Sequence, residues 1–251
     1  MAGRLQGKRA AVTGAGSGIG RAIALRFAHE GARVAALGRT QASLDTLAAE
    51  APGIIPVLAD VLDEASVAAA FDLVVSEFGG LDVLVTSAAV QLHGQDGRVH
   101  ALPLDVWQLT IQTNLTGVFL SCKYGVRALL ASGGGSVINI GSPTGIAGSA
   151  PGYSAYSAAK AGVHSLTRVM ATGYAKDGIR VNTLVPGATE GRLIAGLLAD
   201  EGVKAGILAG IPLDRVGLAE EYTGLAVHLA SDESSYSTGA MFVADGGHTI
   251  R

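Results

Sequence analysis

The amino-acid sequence predicts an α/β fold: one doubly wound, mostly parallel seven-stranded sheet flanked by helices. Three observations lead there. Seven short, nearly all-apolar runs alternate with longer segments of helical periodicity; such runs suit strands covered on both faces, and strand–helix alternation requires crossovers between parallel neighbours. No proline-rich linker or composition break divides the 251 residues, a length one α/β domain commonly reaches. Glycine contributes 36 residues, about twice the usual share, without a three-residue period and beside only 7 prolines. The excess therefore serves turns and close backbone approaches.

In chain order, the first strand is Ala10–Thr13 and the helix after it Gly18–Glu30, where Ile19, Ile23 and Phe27 recur at four-residue spacing. Val34–Leu37 leads to a helix over Gln41–Glu50, and Ile54–Ala59 to one over Asp63–Glu77. Val83–Thr86 is followed by a polar stretch and then by the longest periodic segment, Leu104–Leu130. Ser136–Ile140 precedes a helix over Tyr153–Lys176. Arg180–Val185 is followed by the loop Ala188–Pro212, in which Leu193 to Leu208 has helical spacing interrupted by Gly196, Gly202 and Gly206. Ala219–Ser231 supplies the last long helix and Met241–Ala244 the last strand.

A net charge of −3 and no cluster of five or more Lys/Arg give no basic field, so no nucleic-acid partner is expected. Cys122 is the sole cysteine, which excludes an intramolecular disulfide, and the opening MAGRLQGKRAAVTG lacks a long apolar region. A cytoplasmic location is expected. No apolar run approaches the roughly 18 residues of a membrane span, so no membrane partner is expected either.

In such a sheet, ligands bind beyond the carboxyl ends of the strands. The first strand runs into Thr13-Gly14-Ala15-Gly16-Ser17-Gly18-Ile19-Gly20 at the start of a helix. Glycines at 14, 18 and 20 let the backbone turn tightly and approach a pyrophosphate, which then meets the amides and positive dipole of the helix start. The plainer alternative is an ordinary glycine-rich turn. At the end of the second strand, where an NAD enzyme usually carries Asp or Glu for the ribose 2′-hydroxyl, stand Gly38 and Arg39. Arginine binds a 2′-phosphate with charge-assisted hydrogen bonds, which favours NADP over NAD, although a solvated surface arginine has the same sequence signature. Finally, Tyr156-Ser157-Ala158-Ala159-Lys160 places a phenol and an ammonium four residues apart on one helix face. A close ammonium favours phenolate and is expected to lower a phenol pKa from near 10 toward the range useful in acid–base catalysis. Taken alone, a Tyr-x3-Lys spacing also arises as a simple surface pair.

Together with Asp60-Val61, Asn114, Ser142, Pro186-Gly187 and Asp245-Gly246-Gly247, these motifs resemble, in order and spacing, the short-chain dehydrogenase/reductase family from about Gly7 to Gly247. The resemblance implies a single Rossmann-type domain over residues 1–251, with a mobile substrate lid at about 188–212 and NADP, or NAD, as cosubstrate. It implies that Tyr156 is the general acid or base and that Lys160 holds the nicotinamide ribose and lowers the phenol pKa. Ser142 would bond the substrate oxygen, and Asn114 would position a water for proton relay. Cofactor contacts carried over are Gly14, Ser17, Gly18, Ile19, Gly20, Arg39, Asp60, Val61, Ser87, Ala88, Tyr156, Lys160, Pro186, Gly187 and Thr189. The strand ending near Asp245 and the long helices would build a homotetramer.

Two departures stand out. Thr86-Ser87-Ala88-Ala89 replaces the family's usual Asn-Asn-Ala-Gly, and Gly191 stands where a threonine often binds the carboxamide, leaving Thr189 for that task. His93, Asp96 and His100 in the loop Gln91–His100 have no metal-ligand spacing and read as a solvated loop, so no metal is expected. Cys122 and Trp107 read as packing residues. The function expected is an NADP-preferring oxidoreductase acting on a small carbonyl or secondary alcohol that is cyclic, sugar-like or polyketide-derived. A carrier-protein-linked 3-oxoacyl reductase is the alternative within the class, for which Thr172-Gly173 supplies no basic docking face. A non-catalytic dinucleotide-sensing protein is the rival from another class.

Overall fold

Strands β1 (Arg9–Thr13), β2 (Arg33–Gly38), β3 (Ile54–Leu58), β4 (Val83–Thr86), β5 (Gly135–Ile140), β6 (Ile179–Pro186) and β7 (Met241–Ala244) form one sheet in the order β3-β2-β1-β4-β5-β6-β7. Every pairing is parallel. This is a computed structural model, describing residues 3–148 and 150–250. Pro56 sits in β3, an edge strand, where its missing N–H removes no interior ladder bond.

The helices are α1 (Gly18–His29), α2 (Gln41–Glu50), α3 (Glu64–Phe78), α4 (Leu104–Ile111), α5 (Gly117–Ala131), α6 (Ser154–Tyr174), α7 (Ala195–Leu198), α8 (Glu201–Ala209) and α9 (Thr223–Ala230). Because neighbouring strand residues point to opposite faces, the chain builds two cores. Val12, Val34 and Ala36 join Ile23, Phe27 and Leu229 on one side, and Ala11, Ala35 and Leu37 join Phe71, Val74 and Leu129 on the other. The expected strand and helix positions hold to within a residue or two at most ends. The segment predicted as one helix over Leu104–Leu130 is α4 and α5 joined by a π-helical turn, Gln112–Thr116, and the spacing seen from Leu193 to Leu208 resolves into α7 and α8. Asp200 separates that pair by accepting from the backbone N–H groups of Gly202 and Val203.

The order reverses between β1 and β4, which opens a crevice at their carboxyl ends. Register places Thr86, Asn139 and Thr183 side by side across β4, β5 and β6. The Thr86 hydroxyl donates to Asn139 Oδ1 at 2.7 Å, while Asn139 Nδ2 and the Thr183 hydroxyl both donate to Thr167 Oγ1 of α6 at 2.9 Å. This buried polar row ties the sheet to α6 just below the crevice.

Candidate active site

The loop from β1 to α1 floors the crevice. Gly14 has φ +68°, and a Cβ there would lie 2.7 Å from the backbone N and Cα of Ala88, so the β1 and β4 loops meet at a distance only glycine permits. The Thr13 hydroxyl fixes that contact by accepting from the N–H groups of Ser87 and Ala88 at 3.1 and 3.4 Å. At the start of α1 no side chain caps the free amides and no acidic residue lies in the first turn. A Cβ on Gly18 would meet nothing within 4 Å. An open, positively polarised helix start is the complement of a phosphate.

Above it lies a cavity of about 830 Å³. Among the sequence-predicted cofactor residues, Gly14, Ser17, Gly18, Ile19, Arg39, Asp60, Val61, Ser87, Ala88, Tyr156, Lys160, Pro186, Gly187 and Thr189 all line it. Gly20 does not; it stands behind the loop, where a Cβ would press on the Gly14 carbonyl oxygen at 2.6 Å. Arg39 is exposed and makes no ion pair with any described residue. Asp60 is held by the Leu62 N–H, which donates to its carboxylate at 3.0 Å. The Thr189 hydroxyl bonds the Gly187 carbonyl oxygen at 2.8 Å and Tyr222 Oη at 2.9 Å. The floor, the uncapped helix start and the free guanidinium fit an anionic dinucleotide.

The residues expected to carry the proton chemistry sit where β5 ends against α6. Ser142 follows β5; its hydroxyl bonds Thr144 Oγ1 at 3.1 Å, accepts the Thr144 N–H at 3.3 Å, and faces the Tyr156 phenol closely enough to pull the phenol pKa down. Lys160, one helical turn beyond Tyr156, donates from Nζ to the Ile140 carbonyl oxygen at 2.8 Å, with Nζ 5.7 Å from the Tyr156 ring centre. Both side chains are buried. Sequence spacing leads one to expect a phenol pKa lowered by the lysine; the structure corrects that direction. Burial pushes the phenol up to about 12, opposed only by Ser142, and burial pulls Lys160 down to about 8. Tyr156 therefore holds its proton at neutral pH, the state a proton donor needs.

Asn114 lies in the π turn and is fully buried. Oδ1 accepts from the Val90 N–H and Nδ2 donates to the Val90 carbonyl oxygen, both at 2.8 Å. The side chain clamps the loop after β4.

Several residues gain a role that sequence reasoning missed. His164, on the same face as Tyr156 and Lys160, sits under Ser142; the repeat of four-residue spacing was the available sign. Asp96, expected in a solvated loop, is 8% exposed and bonds the start of α6. Nothing in the sequence announces a partner some 60 positions away. His93 bonds Tyr153 Oη through Nδ1 at 2.6 Å and the Leu193 carbonyl through Nε2, joining the loop after β4 to α6 and to the segment before α7. Cys122 is buried as expected, whereas Trp107 is partly exposed.

The chain is similar to known proteins over nearly its whole length. Residues 14–249 match the family described as Enoyl-(Acyl carrier protein) reductase. It is 42% identical over 244 residues to cis-4-hydroxycyclohexanecarboxylate dehydrogenase of Sinomonas cyclohexanicum, covering 96% of each chain. It is 38% identical over 251 residues to the 3-oxoacyl-[acyl-carrier-protein] reductase FabG of Thermotoga maritima, covering 98% of this chain and all of that one. A solved gluconate 5-dehydrogenase from Burkholderia cenocepacia J2315, in complex with NADP and tartrate, superposes with a TM-score of 0.93 at 32% identity, covering 99% and 97% of the two chains. The glycine-floored crevice, the Ser142–Tyr156–Lys160 cluster and these likenesses agree: the chain belongs to the short-chain dehydrogenase/reductase family and is an oxidoreductase acting on alcohol and carbonyl groups.

Proposed function

We propose that this enzyme prefers NADP(H) and reduces a carbonyl, or oxidises the matching secondary alcohol, of a small free molecule, with Tyr156 as general acid or base. The observation that carries the reading is the buried Ser142–Tyr156 pair opening into the cavity whose other end is the glycine floor. When bound there, a nicotinamide cofactor would supply or accept the hydride. Ser142 and Tyr156 hold the substrate oxygen between two hydroxyl donors, where charge develops, and Tyr156 delivers the proton. Lys160, which lines the same cavity, would anchor the ribose. Gly38 and the unpaired Arg39 favour the 2′-phosphate, and the NADP in the gluconate 5-dehydrogenase structure is in keeping with that.

The substrate end of the cavity is walled by Pro151, Leu193, Ile194, Leu197, Ile207 and Ile211, with Gln91, Glu190, Arg192 and His248 as polar groups. A compact, largely apolar body with few polar substituents suits this wall, and an alicyclic alcohol or ketone, the class named for the Sinomonas relative, is our first choice. The FabG likeness supports a carrier-linked 3-oxoacyl thioester as the second reading. We further propose a cytoplasmic homotetramer. Edge strand β7 carries the exposed apolar residues Met241 and Val243, a surface suited to burial against another copy. Among the described residues, no helix is long and apolar enough to cross a membrane.

The test is a panel of cyclic ketones, sugar-like ketones and 3-oxoacyl thioesters assayed by nicotinamide absorbance with NADPH and with NADH, on the wild type and Tyr156→Phe. Turnover of a free ketone, lost in Tyr156→Phe while NADPH still binds, supports the reading. Unchanged turnover in the variant overturns the mechanism, and turnover of thioesters alone selects the second reading.

A further inference from the structure

The first amides of an α-helix have no partner within the helix, and a side chain at the N-cap normally accepts from the second or third of them. In α6 the third residue is Tyr156 itself, and the N-cap is Tyr153, whose side chain makes no capping bond. The acceptor comes from elsewhere in the chain. Asp96, in the loop after β4, receives the N–H of Ala155 on Oδ1 at 3.1 Å and the N–H of Tyr156 on Oδ2 at 2.9 Å, with the Gly97 N–H also on Oδ1 at 2.8 Å. Asp96 is 8% exposed, and its carboxylate makes no ion pair with any described cation. Its charge is balanced by three backbone donors and by the positive end of the α6 dipole.

We propose that Asp96 is a positioning residue for the reaction: by grasping the main chain of Tyr156, it fixes the first turn of α6 so that the phenol meets Ser142 and the substrate oxygen. The proposal rests on the assignment of Tyr156 as acid or base. The rest of the turn depends on the same anchor. Tyr153 stands one residue before the helix and lines the cavity together with Pro151 and Gly152, so the segment that shapes the substrate end is continuous with the one Asp96 holds. Without the carboxylate, two amides lose their acceptor and the first turn frays, which moves the phenol while leaving Lys160, one turn deeper and bonded to Ile140, in place. An Å-scale displacement of a reacting group is costly to the chemical step and nearly neutral to cofactor binding at the far end of the cavity.

The experiment compares wild type, Asp96→Asn, Asp96→Ala and Tyr156→Phe with a substrate from the panel and saturating NADPH, well below each variant's unfolding midpoint. For Asp96→Ala, kcat per folded enzyme falls by about tenfold or more while the NADPH Kd stays within about twofold. Asp96→Asn, which keeps one acceptor oxygen and serves if the alanine variant does not fold, falls in between. In both, the alkaline limb of the pH–rate profile moves upward, because a phenol displaced from Ser142 loses the neighbour that holds its pKa down. A lowered midpoint with kcat and pH profile unchanged overturns the proposal and leaves Asp96 a purely structural cap. If Tyr156→Phe itself retains activity, the failure lies in the assignment of Tyr156 instead.

Discussion

The imidazole of His164 lies beneath Ser142 and accepts the Ser142 backbone N–H on Nε2 at 3.4 Å. The contact is close enough that a Cβ on Gly141 would fall 2.3 Å from Nε2. The ring serves as an acceptor here, so it must be neutral. Burial, with Lys160 and Arg168 nearby, pulls its pKa down to about 4 against an upward pull from the Gly145 main chain.

Stability is therefore expected to depend on pH through this residue. Between about 4 and the ordinary value of 6.5, the unfolded chain binds a proton that the folded chain refuses, so stability rises with pH through that window and is lost as pH falls across it. Denaturant midpoints at several pH values should show a shallower slope in His164→Gln than in the wild type; equal slopes would remove His164 as the cause.

Coenzyme choice should follow Arg39. Replacing it with alanine removes a charge-assisted contact and is expected to weaken NADPH about tenfold to a hundredfold while leaving NADH nearly unchanged. Gly38→Asp should swing the preference toward NADH, provided the Leu44 side chain yields by a few tenths of an ångström, since a Cβ there would lie 3.3 Å from Leu44 Cδ2, with Leu44 Cγ and the Gly16 N–H nitrogen at 3.8 and 3.9 Å. Paired fluorescence titrations measure both. An Arg39→Ala variant indifferent to the 2′-phosphate would count against NADP.

Two glycines of the β1 loop should behave differently. Gly14→Ala combines a left-handed backbone with a 2.7 Å clash against Ala88 and should cost about 2–4 kcal/mol. Gly18→Ala has φ +55° but open space, and the backbone term alone is about 1–2 kcal/mol. Thermal melts without cofactor separate the two, and comparable losses would mean that the approach to Ala88 is not what constrains Gly14.

Asn139→Ala should cost about 2–4 kcal/mol, because it strands the buried Thr86 hydroxyl and takes a donor from Thr167. Chemical denaturation measures it. A loss under about 1 kcal/mol would mean that the threonines re-pair locally.

The sequence by itself determined the architecture and most of the site's membership. Apolar runs and four-residue spacings are local properties of the chain, so β1, α1 and the Tyr156–Lys160 pair could be read directly. The glycine pattern likewise marked the β1–α1 turn, before the contact between Gly14 and Ala88 explained why glycine is needed there. Tertiary structure decided what those residues do to one another. Burial is a property of the assembled fold: it turned the expected lowering of the Tyr156 pKa into a rise, and it made His164 a neutral acceptor. Pairings across the chain were equally out of reach. Asn114 spends its amide on Val90, and Asp96 caps a helix that begins far along the chain, because crossovers bring the β4 loop against α6. A hydrogen bond between distant residues leaves no period in the sequence; only the packed sheet and helices create the distance at which it forms.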